Sequence, residues 1–368
     1  MAKSAYVGVD GIARKVKKMY VGVDSKARKV KKGYIGVGGI ARPFFSGGGS
    51  NVEYYGTAAP LSVARSLMAA TTIGDYALFG GGAAEGSNFK DTMDRYNSSL
   101  VKGMASVLYP ARAWASATSI GDYALFGGGG TSDDTFSNVD TYSSSLVKGT
   151  AVGLSTVRNF AGAASVGGYA LFCGGNSRGT MVANADAYNV NLARSKAPSL
   201  SVARCPASTS IGNYAIFGGG YNNNVLANVD VYDANLVKST VANLSSARTN
   251  LAAAAVGDYA LFAGGTNSSY EPDSVVETYN SNLVKSVTSD LSVARSGLVA
   301  TTIGDFALFA GGYRSGASYA VDVYDTNLVK STSHDLSSAN SGMAAAAIGK
   351  YALFTGADYS DVVDVYKI

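Results

Sequence analysis

The sequence predicts an all-β protein built as a closed ring of seven four-stranded blades, a β-propeller. The phrase IGDYALFGGG at Ile73–Gly82 returns six times along the chain, and no stretch keeps the 3.6-residue apolar period of a helix. The one strand missing from the last repeat reappears before the first. The six further copies are Ile120–Gly129, Val166–Gly175, Ile211–Gly220, Val256–Gly265, Ile303–Gly312 and Ile348–Ala357.

Each repeat of roughly 46 residues contains four short β-rich runs bounded by Gly, Asn and Asp. In the repeat that begins at Arg248, the predicted strands a, b, c and d are Asn250–Val256, Asp258–Gly265, Ser274–Tyr279 and Leu283–Ser289, and Gly-Asp forms the turn from a to b. Strand a is rich in alanine, which suits a crowded central axis.

Spacing between repeats is constant except in one connection. The acid of strand c always lies 18 residues before the residue that leads the next strand a, whereas the strand-b aromatic and the strand-c acid are 13 to 18 residues apart. Variation is therefore concentrated in the b–c loops, as expected where a constant scaffold presents a binding surface, or where surface loops drift without a function. The leading residues are Arg65, Arg112, Arg158, Arg204, Arg248, Arg295 and Asn340, and their regularity favours a structural role.

Strands c and d carry a recurrent pair of opposite charges, eight residues apart. If Tyr232 pairs with Leu236, Asp230 lies opposite Lys238, and the two side chains form a cross-strand ion pair. These carboxylates are accordingly predicted to fix register and not to act as acids or bases. The pairs are Asp94 and Lys102, Asp140 and Lys148, Asp186 and Arg194, Asp230 and Lys238, Glu277 and Lys285, and Asp322 and Lys330.

The N-terminal side of the repeats supplies the strand that closes the ring. Strands a, b and c occur seven times, but d follows only the first six c strands, and Val52–Arg65 aligns with Asn235–Arg248. Closure removes two open sheet edges. In this alignment Tyr55 replaces the strand-d lysine, so Asp364 is expected to lose its usual partner.

The first 45 residues form a separate basic segment. They hold eleven Lys and Arg against two Asp, a net +9, so the remainder of this +4 chain carries −5. A 14-residue repeat beginning at Tyr6, Tyr20 and Tyr34 predicts β-hairpins with two-residue turns. We therefore assign residues 1–45 to hairpin repeats, 46–50 to a Gly/Ser linker and 51–368 to the propeller.

The motif "LFGGG…VDVYD" resembles the Kelch repeat, over about 320 residues. The family's usual strand-d Trp is absent, and Trp114 is assigned to strand a instead. The resemblance implies a binding face made by the b–c and d–a loops, toward which the leading arginines would point. On that face we select ten candidate ligand-binding residues: Phe89, Phe136, Arg178, Tyr221, Asn222, Asn223, Tyr270, Tyr313, Arg314 and Tyr319.

The N-terminal repeats are similar to leader segments on phage and prophage structural proteins of Gram-positive hosts. This similarity implies a non-enzymatic virion protein, with the propeller displayed as a capsid decoration or as a tail-associated binder of host surface glycan or protein. The residues predicted to dock on other virion proteins are Arg14, Lys15, Lys17, Lys18, Arg28, Lys29, Lys31 and Lys32. The alternatives are a cytoplasmic protein-interaction module, and a nucleic-acid binder acting through the same basic segment, which the non-basic propeller disfavours.

The sequence contains few residues in arrangements that suit catalysis. The single histidine, His334, excludes the two-histidine copper site of galactose oxidase within one chain, and no triad or phosphate-binding loop is recognisable. The cysteines Cys173 and Cys205 are expected to be buried or half-buried thiols. We therefore expect no cofactor, metal or enzymatic activity. Without a signal peptide or a long apolar run, we expect assembly in a host cytoplasm and no membrane insertion.

Overall fold

The computed structural model describes residues 52–338 and 341–368, and of the preceding segment only six strands, without their side chains. The chain divides into two compact units, residues 1–52 with Ile368, and residues 53–367. The first unit contains three antiparallel hairpins. Of its eight predicted docking residues, five lie in these strands, whose side chains are not described, whereas Lys17, Lys18, Lys31 and the linker residues 47–50 lie outside the described residues. The hairpins pair Tyr6–Val9 with Ile12–Lys15, Met19–Val23 with Lys26–Val30, and Lys32–Val37 with Ile40–Ser46.

The second unit is a seven-bladed propeller, as predicted, and each blade is an antiparallel sheet of strand order a, b, c, d. Strands a are Ala69–Ile73, Ser116–Ile120, Gly162–Val166, Ala207–Ile211, Ala252–Val256, Val299–Ile303 and Ala344–Ile348. Strands b are Tyr76–Gly80, Tyr123–Gly127, Tyr169–Cys173, Tyr214–Gly218, Tyr259–Ala263, Phe306–Ala310 and Tyr351–Thr355. Strands c are Met93–Asn97, Val139–Ser143, Ala185–Asn189, Val229–Asp233, Val276–Asn280, Val321–Asp325 and Val363–Lys367. Strands d are Lys102–Ala105, Lys148–Ala151, Arg194–Ala197, Lys238–Thr240, Lys285–Val287, Lys330–Thr332 and, for blade 7, Glu53–Thr57.

Short additional elements lie at the b–c end of several blades. The two-residue strand pairs are Ala83–Ala84 with Asn88–Phe89, Asn176–Ser177 with Thr180–Met181, Tyr221–Asn222 with Asn224–Val225, and Arg248–Thr249 with Thr266–Asn267. A single turn of 3-10 helix spans Ala357–Tyr359. These pairs give the variable loops a defined shape on one face.

The inner strands are linked directly to one another across the ring. Because strand a carries mainly Ala, Ser and Thr, neighbouring blades approach closely at the axis, and hydroxyl groups donate to carbonyls of an adjacent blade. Thr302 Oγ1 lies 2.6 Å from Ala255 O, and Thr72 Oγ1 lies 2.6 Å from Ala347 O. The second bond joins blade 7 to blade 1, so the axis is closed at the junction of the chain ends.

The hydrophobic core is a series of layers between adjacent blades. Within each blade a strand-b Phe meets a fully buried strand-c Tyr edge-on, as Phe217 meets Tyr232 with ring centroids 5.6 Å apart. The Tyr hydroxyl crosses to the preceding blade, where Tyr232 donates to Pro198 O at 2.6 Å. The same bond recurs in the other six blades, from Tyr96, Tyr142, Tyr188, Tyr279, Tyr324 and Tyr366.

These seven tyrosines predict a loss of stability in alkali. Burial raises the pKa of each hydroxyl above the ordinary 10.0. A raised pKa in the folded state means that the stabilisation is complete below pH 10 and is lost as pH increases above it. We expect the urea midpoint to fall progressively above pH 10, with ionisation of the seven hydroxyls coinciding with unfolding in the ultraviolet difference spectrum. Ionisation of all seven before unfolding would contradict this expectation.

Ring closure by the N-terminal strand is confirmed, but the predicted alignment of that strand is wrong by one residue. Tyr54, and not Tyr55, pairs with Tyr366 in the position of the strand-d lysine, and a bulge lies between Val365 and Tyr366. Asp364 therefore keeps a partner, because the Tyr54 hydroxyl donates to it at 2.8 Å. The bulge absorbs the extra residue that the sequence alignment could not detect.

The predicted register of the c–d hairpins is also wrong, by two residues. Tyr232 pairs with Lys238, and Asp230 pairs with Thr240. The hairpin loop is displaced because Asp233 Oδ1 accepts hydrogen bonds from the N–H groups of Asn235 and Val237. The ion pair nevertheless forms diagonally, with 3.5 Å between Lys238 Nζ and Asp230 Oδ1.

Candidate binding site at the propeller axis

The leading arginines are fully buried and do not belong to the binding face, contrary to the expectation from the Kelch resemblance. Each one forms an ion pair with the strand-c acid of its own blade, as Arg204 Nη2 does at 2.9 Å from Asp230. The six pairs join Arg65 to Asp94, Arg112 to Asp140, Arg158 to Asp186, Arg204 to Asp230, Arg248 to Glu277, and Arg295 to Asp322. Their predicted structural role is thus supported by burial and by pairing.

Each strand-c acid also accepts hydrogen bonds from the d–a connection. Ser201 donates to Asp230 through both its N–H and its hydroxyl group, at 3.1 and 2.9 Å. Burial lowers the pKa of Arg248, and the negative charge of Glu277 opposes that shift. These groups hold the d–a connection against strand c and leave no free charge for a ligand.

The segments that follow the leading residues meet around the axis and form a group that we call the collar. Its members lie two residues after the leading positions. Backbone hydrogen bonds join four of its seven neighbouring pairs, and Pro206 has no N–H to continue the series. Trp114 N–H donates to Leu67 O and Phe160 N–H to Trp114 O, both at 3.1 Å, while Leu67 N–H donates to Gly342 O at 2.7 Å. The collar consists of Leu67, Trp114, Phe160, Pro206, Asn250, Gly297 and Gly342.

Six of the seven collar residues have a positive φ, which is costly for large side chains. Trp114 has φ 57° and Phe160 has φ 54°, although glycine occupies the same position at Gly297 and Gly342. The c–d turns contain positive-φ leucines as well, but there the same residue recurs and packs partly buried against the cores. Phe160 is instead 47% exposed, so burial does not offset the cost of its backbone conformation.

The collar surrounds a cavity of about 700 Å³ at the mouth of the axial channel, the axial cavity. One side is apolar, and the Trp114 and Phe160 ring centroids there are 5.7 Å apart at an interplanar angle of 38°. Phe89 extends this row, with its ring 5.6 Å from Trp114. The apolar wall consists of Leu67, Trp114, Phe160, Met181 and Met343.

The other side of the axial cavity presents amides and hydroxyls. Within the part of the chain that the structure describes, the Asn250 side chain and the Tyr221 hydroxyl make no hydrogen bond. The polar residues on this side are Asn176, Tyr221, Thr249, Asn250, Thr266 and Tyr270. A further polar residue of the lining, Ser116, donates its hydroxyl to Ala161 O at 2.6 Å. Below the collar, a narrower space of about 320 Å³ runs between the inner strands and is lined by small residues such as Ala117 and Ser208.

The structure distributes the ten predicted ligand-binding residues over the loop face and does not bring them to one place. Tyr221 and Tyr270 line the axial cavity, and Phe89 reaches it through Trp114. Arg314 and Tyr319 line a separate cavity of about 370 Å³ beside blade 6. The remaining five, which line neither cavity, are Phe136, Arg178, Asn222, Asn223 and Tyr313.

The sequence analysis missed Phe160 and assigned Trp114 wrongly. Strand a of blade 2 begins at Ser116, so Trp114 lies in the d–a connection and points its ring toward the axial cavity. The sequence does contain a signal for these two residues, because the residue type two positions after the leading residue changes between repeats. It was overlooked because we looked for variation in the b–c loops alone.

Several expectations about reactive groups can be compared with the described residues. Cys173 is buried and Cys205 half-buried, both unpaired, as predicted. His334 is exposed and stacks on Tyr54 at 4.7 Å. In the described residues, no three His, Cys, Asp or Glu side chains are grouped so that they could hold a metal ion. Helices long and apolar enough to cross a membrane are likewise absent from them.

Comparison with known proteins supports the fold and nothing narrower. No protein-family model matches the chain, and no curated protein matches it in sequence. Among solved structures, the one described as the structure of YjhT superimposes with a TM-score of 0.60 at 13% identity, covering 75% of this chain and 99% of that one. The β-propeller fold is therefore shared with a known structure, and such a fold is consistent with a binding module.

Proposed function

We propose that this protein is a non-enzymatic binding module of a phage or prophage virion, attached through its basic N-terminal segment and displaying the axial cavity to the host surface. The observation that carries the binding function is the collar. Large, partly exposed aromatic side chains are held there at a costly positive φ, at a position where two other blades have glycine. Stability alone would favour glycine or a buried residue.

The virion assignment is supported by the division of charge and by the similarity of the N-terminal repeats to phage and prophage leader segments. A net charge of +9 on residues 1–45, against −5 on the rest, provides a basic segment suited to a negatively charged partner surface. The exposed tyrosines of the b–c loops add contact area for a host glycan or protein at a low cost in conformational entropy.

The test of attachment is localisation of the chain in particles induced from a lysogen that carries the gene. We expect cryo-EM density for a seven-bladed disc on the capsid or tail, and the chain in mass spectra of purified particles. Neutralising four basic residues of the first segment should reduce the copies per particle at least about tenfold, and high salt should release the chain. The four changes are Lys17→Gln, Lys18→Gln, Lys31→Gln and Lys32→Gln.

The matched control neutralises the same number of propeller lysines and should leave the copies per particle unchanged. Particles that lack the wild-type chain would contradict the virion assignment, and equal losses in both sets would contradict attachment through the N-terminal segment. The control changes are Lys90→Gln, Lys196→Gln, Lys238→Gln and Lys350→Gln.

A further inference from the structure

We propose that the axial cavity binds an uncharged saccharide, with one sugar ring lying against Trp114 and Phe160. This inference rests on the proposed binding function and adds the chemical class of the ligand. The cavity of about 700 Å³ falls within the range of roughly 300–1,000 Å³ that is typical of small-molecule sites.

The neutral lining of the axial cavity disfavours anionic ligands. Among the described residues, all the side chains that line the axial cavity are neutral. The nearby leading arginines are fully buried and already paired with strand-c acids, as Arg112 is with Asp140 at 2.7 Å. A carboxylate or phosphate entering this space would lose its hydration and gain no counter-charge. Acidic sugars and phosphorylated ligands are therefore disfavoured.

The aromatic wall suits the apolar face of a sugar ring. A pyranose presents C–H groups on its faces and hydroxyls around its edge. Trp114 and Phe160 lie side by side at 38°, and Phe89 continues the row behind Trp114. A flat ring with an apolar face can therefore contact two aromatic side chains together.

The opposite side of the cavity disfavours a purely apolar ligand. Such a ligand would cover the Asn250 amide and the Tyr221 hydroxyl, which make no hydrogen bond in the described protein, and would leave them without partners. The edge hydroxyls of a sugar can donate to and accept from these groups while the ring remains against the apolar wall. A neutral, polyhydroxylated ligand satisfies both sides together.

The chain contains an internal probe for this test, because Trp114 is its single tryptophan. We would titrate the full-length protein with lactose, cellobiose, maltotriose and N,N′-diacetylchitobiose, and with 3′-sialyllactose, while exciting at a wavelength selective for Trp. A glycan array would extend the neutral and acidic sets. We expect saturable fluorescence changes with neutral glycans only, and at least about tenfold weaker binding by Phe160→Gly.

The substitution Phe160→Gly is designed to fold, because Gly297 and Gly342 occupy the same collar position with positive φ. Its melting temperature should equal or exceed that of the wild type. Val147→Ala, which shortens an exposed side chain in the blade 2 c–d hairpin at the other end of the strands, should leave binding unchanged.

Three results would overturn the proposal: preference for acidic glycans, neutral-glycan binding that Phe160→Gly weakens no more than Val147→Ala does, and no glycan binding at all. None of these results bears on whether particles contain the chain. Conversely, absence of the chain from particles would contradict the virion assignment and leave saccharide binding by the purified protein intact.

Discussion

Replacement of Arg204 by methionine should lower the free energy of unfolding by about 3–5 kcal/mol, although the residue touches no ligand. Methionine fills much of the same volume but removes the charge that faces Asp230 at 2.9 Å. Both side chains are fully buried, so the aspartate would remain in a low-dielectric environment with one of its two positive partners missing. The loss should appear as a lower urea midpoint.

The cost extends beyond the ion pair because Arg204 also fixes the backbone around it. Its guanidinium donates to the carbonyl oxygens of Gly219 and Phe217, at 2.8 and 3.1 Å. These carbonyls belong to the end of strand b and to the glycine turn after it. Without the arginine they would be buried without partners, each costing about 1–3 kcal/mol unless the turn moves.

The matched control changes the other cation that faces the same aspartate. Lys238 lies 3.5 Å from Asp230, but its side chain is 22% exposed, so Lys238→Met should cost no more than about 1 kcal/mol. Equal losses from the two variants would show that burial of the arginine is not what makes the pair important. A second variant, Asp230→Asn, should be as damaging as Arg204→Met, because it leaves a buried guanidinium without its counter-charge.

The repeat pattern was sufficient to predict the architecture because the same types of side chain pack together in every blade. A strand-b Phe, a strand-c Tyr and a small residue on strand a recur at fixed spacing, and this spacing determines four strands and the order of the sheet. The location of the closing strand followed from counting, since an unpaired strand c at Val363–Lys367 required a partner from the other end.

Details that depend on single hydrogen bonds could not be predicted from the pattern. In blade 4 the c–d register depends on the side chain of Asp233, which accepts hydrogen bonds from the loop. Each residue of strand c therefore pairs two residues further along strand d than predicted. The bulge at Tyr366 likewise has no sequence signature that distinguishes Tyr54 from Tyr55 as the strand-d position. A period-2 pattern specifies which face a residue occupies, and a shift by two preserves it.

The axial cavity was missed because its key residues are not in the variable loops. Trp114 and Phe160 lie in d–a connections, and these connections have the same length in every repeat. The backbone hydrogen bonds of the collar place these side chains around one opening, and no local pattern indicates that residues 46 positions apart meet there. Comparing the residue at one fixed position through all seven repeats would have revealed them.

Deletion of residues 53–59 should have the largest effect on stability of any change considered. This segment contains strand d of blade 7, which pairs with the C-terminal strand and brings the Tyr54 hydroxyl to Asp364 at 2.8 Å. Next to it, Ala58 N–H donates to Val363 O at 2.9 Å. With roughly 1 kcal/mol for each lost hydrogen bond, the deletion should cost on the order of 5 kcal/mol or more.

The consequences go further than a local loss, because the deletion turns a closed ring into one with an open edge. Strand c of blade 7 would expose a row of unpaired N–H and C=O groups, which is a template for pairing with another chain. We therefore expect the variant to elute as oligomers or aggregates in size-exclusion chromatography, and its thermal transition to become broad and shift downward.

The control shortens the chain at a place where the repeats themselves vary in length. Deletion of residues 84–88 in the blade 1 b–c loop lowers the spacing from Tyr76 to Asp94 from 18 to 13 residues, the spacing that blade 7 has. This variant should remain a monomer and lose no more than about 1 kcal/mol, because loop closure depends only slowly on length. If the ring were held mainly by the layers between blades, both deletions would give similar monomers with similar melting temperatures. That result would show that the axial bonds, such as Thr72 to Ala347, are sufficient to close the propeller without its N-terminal strand.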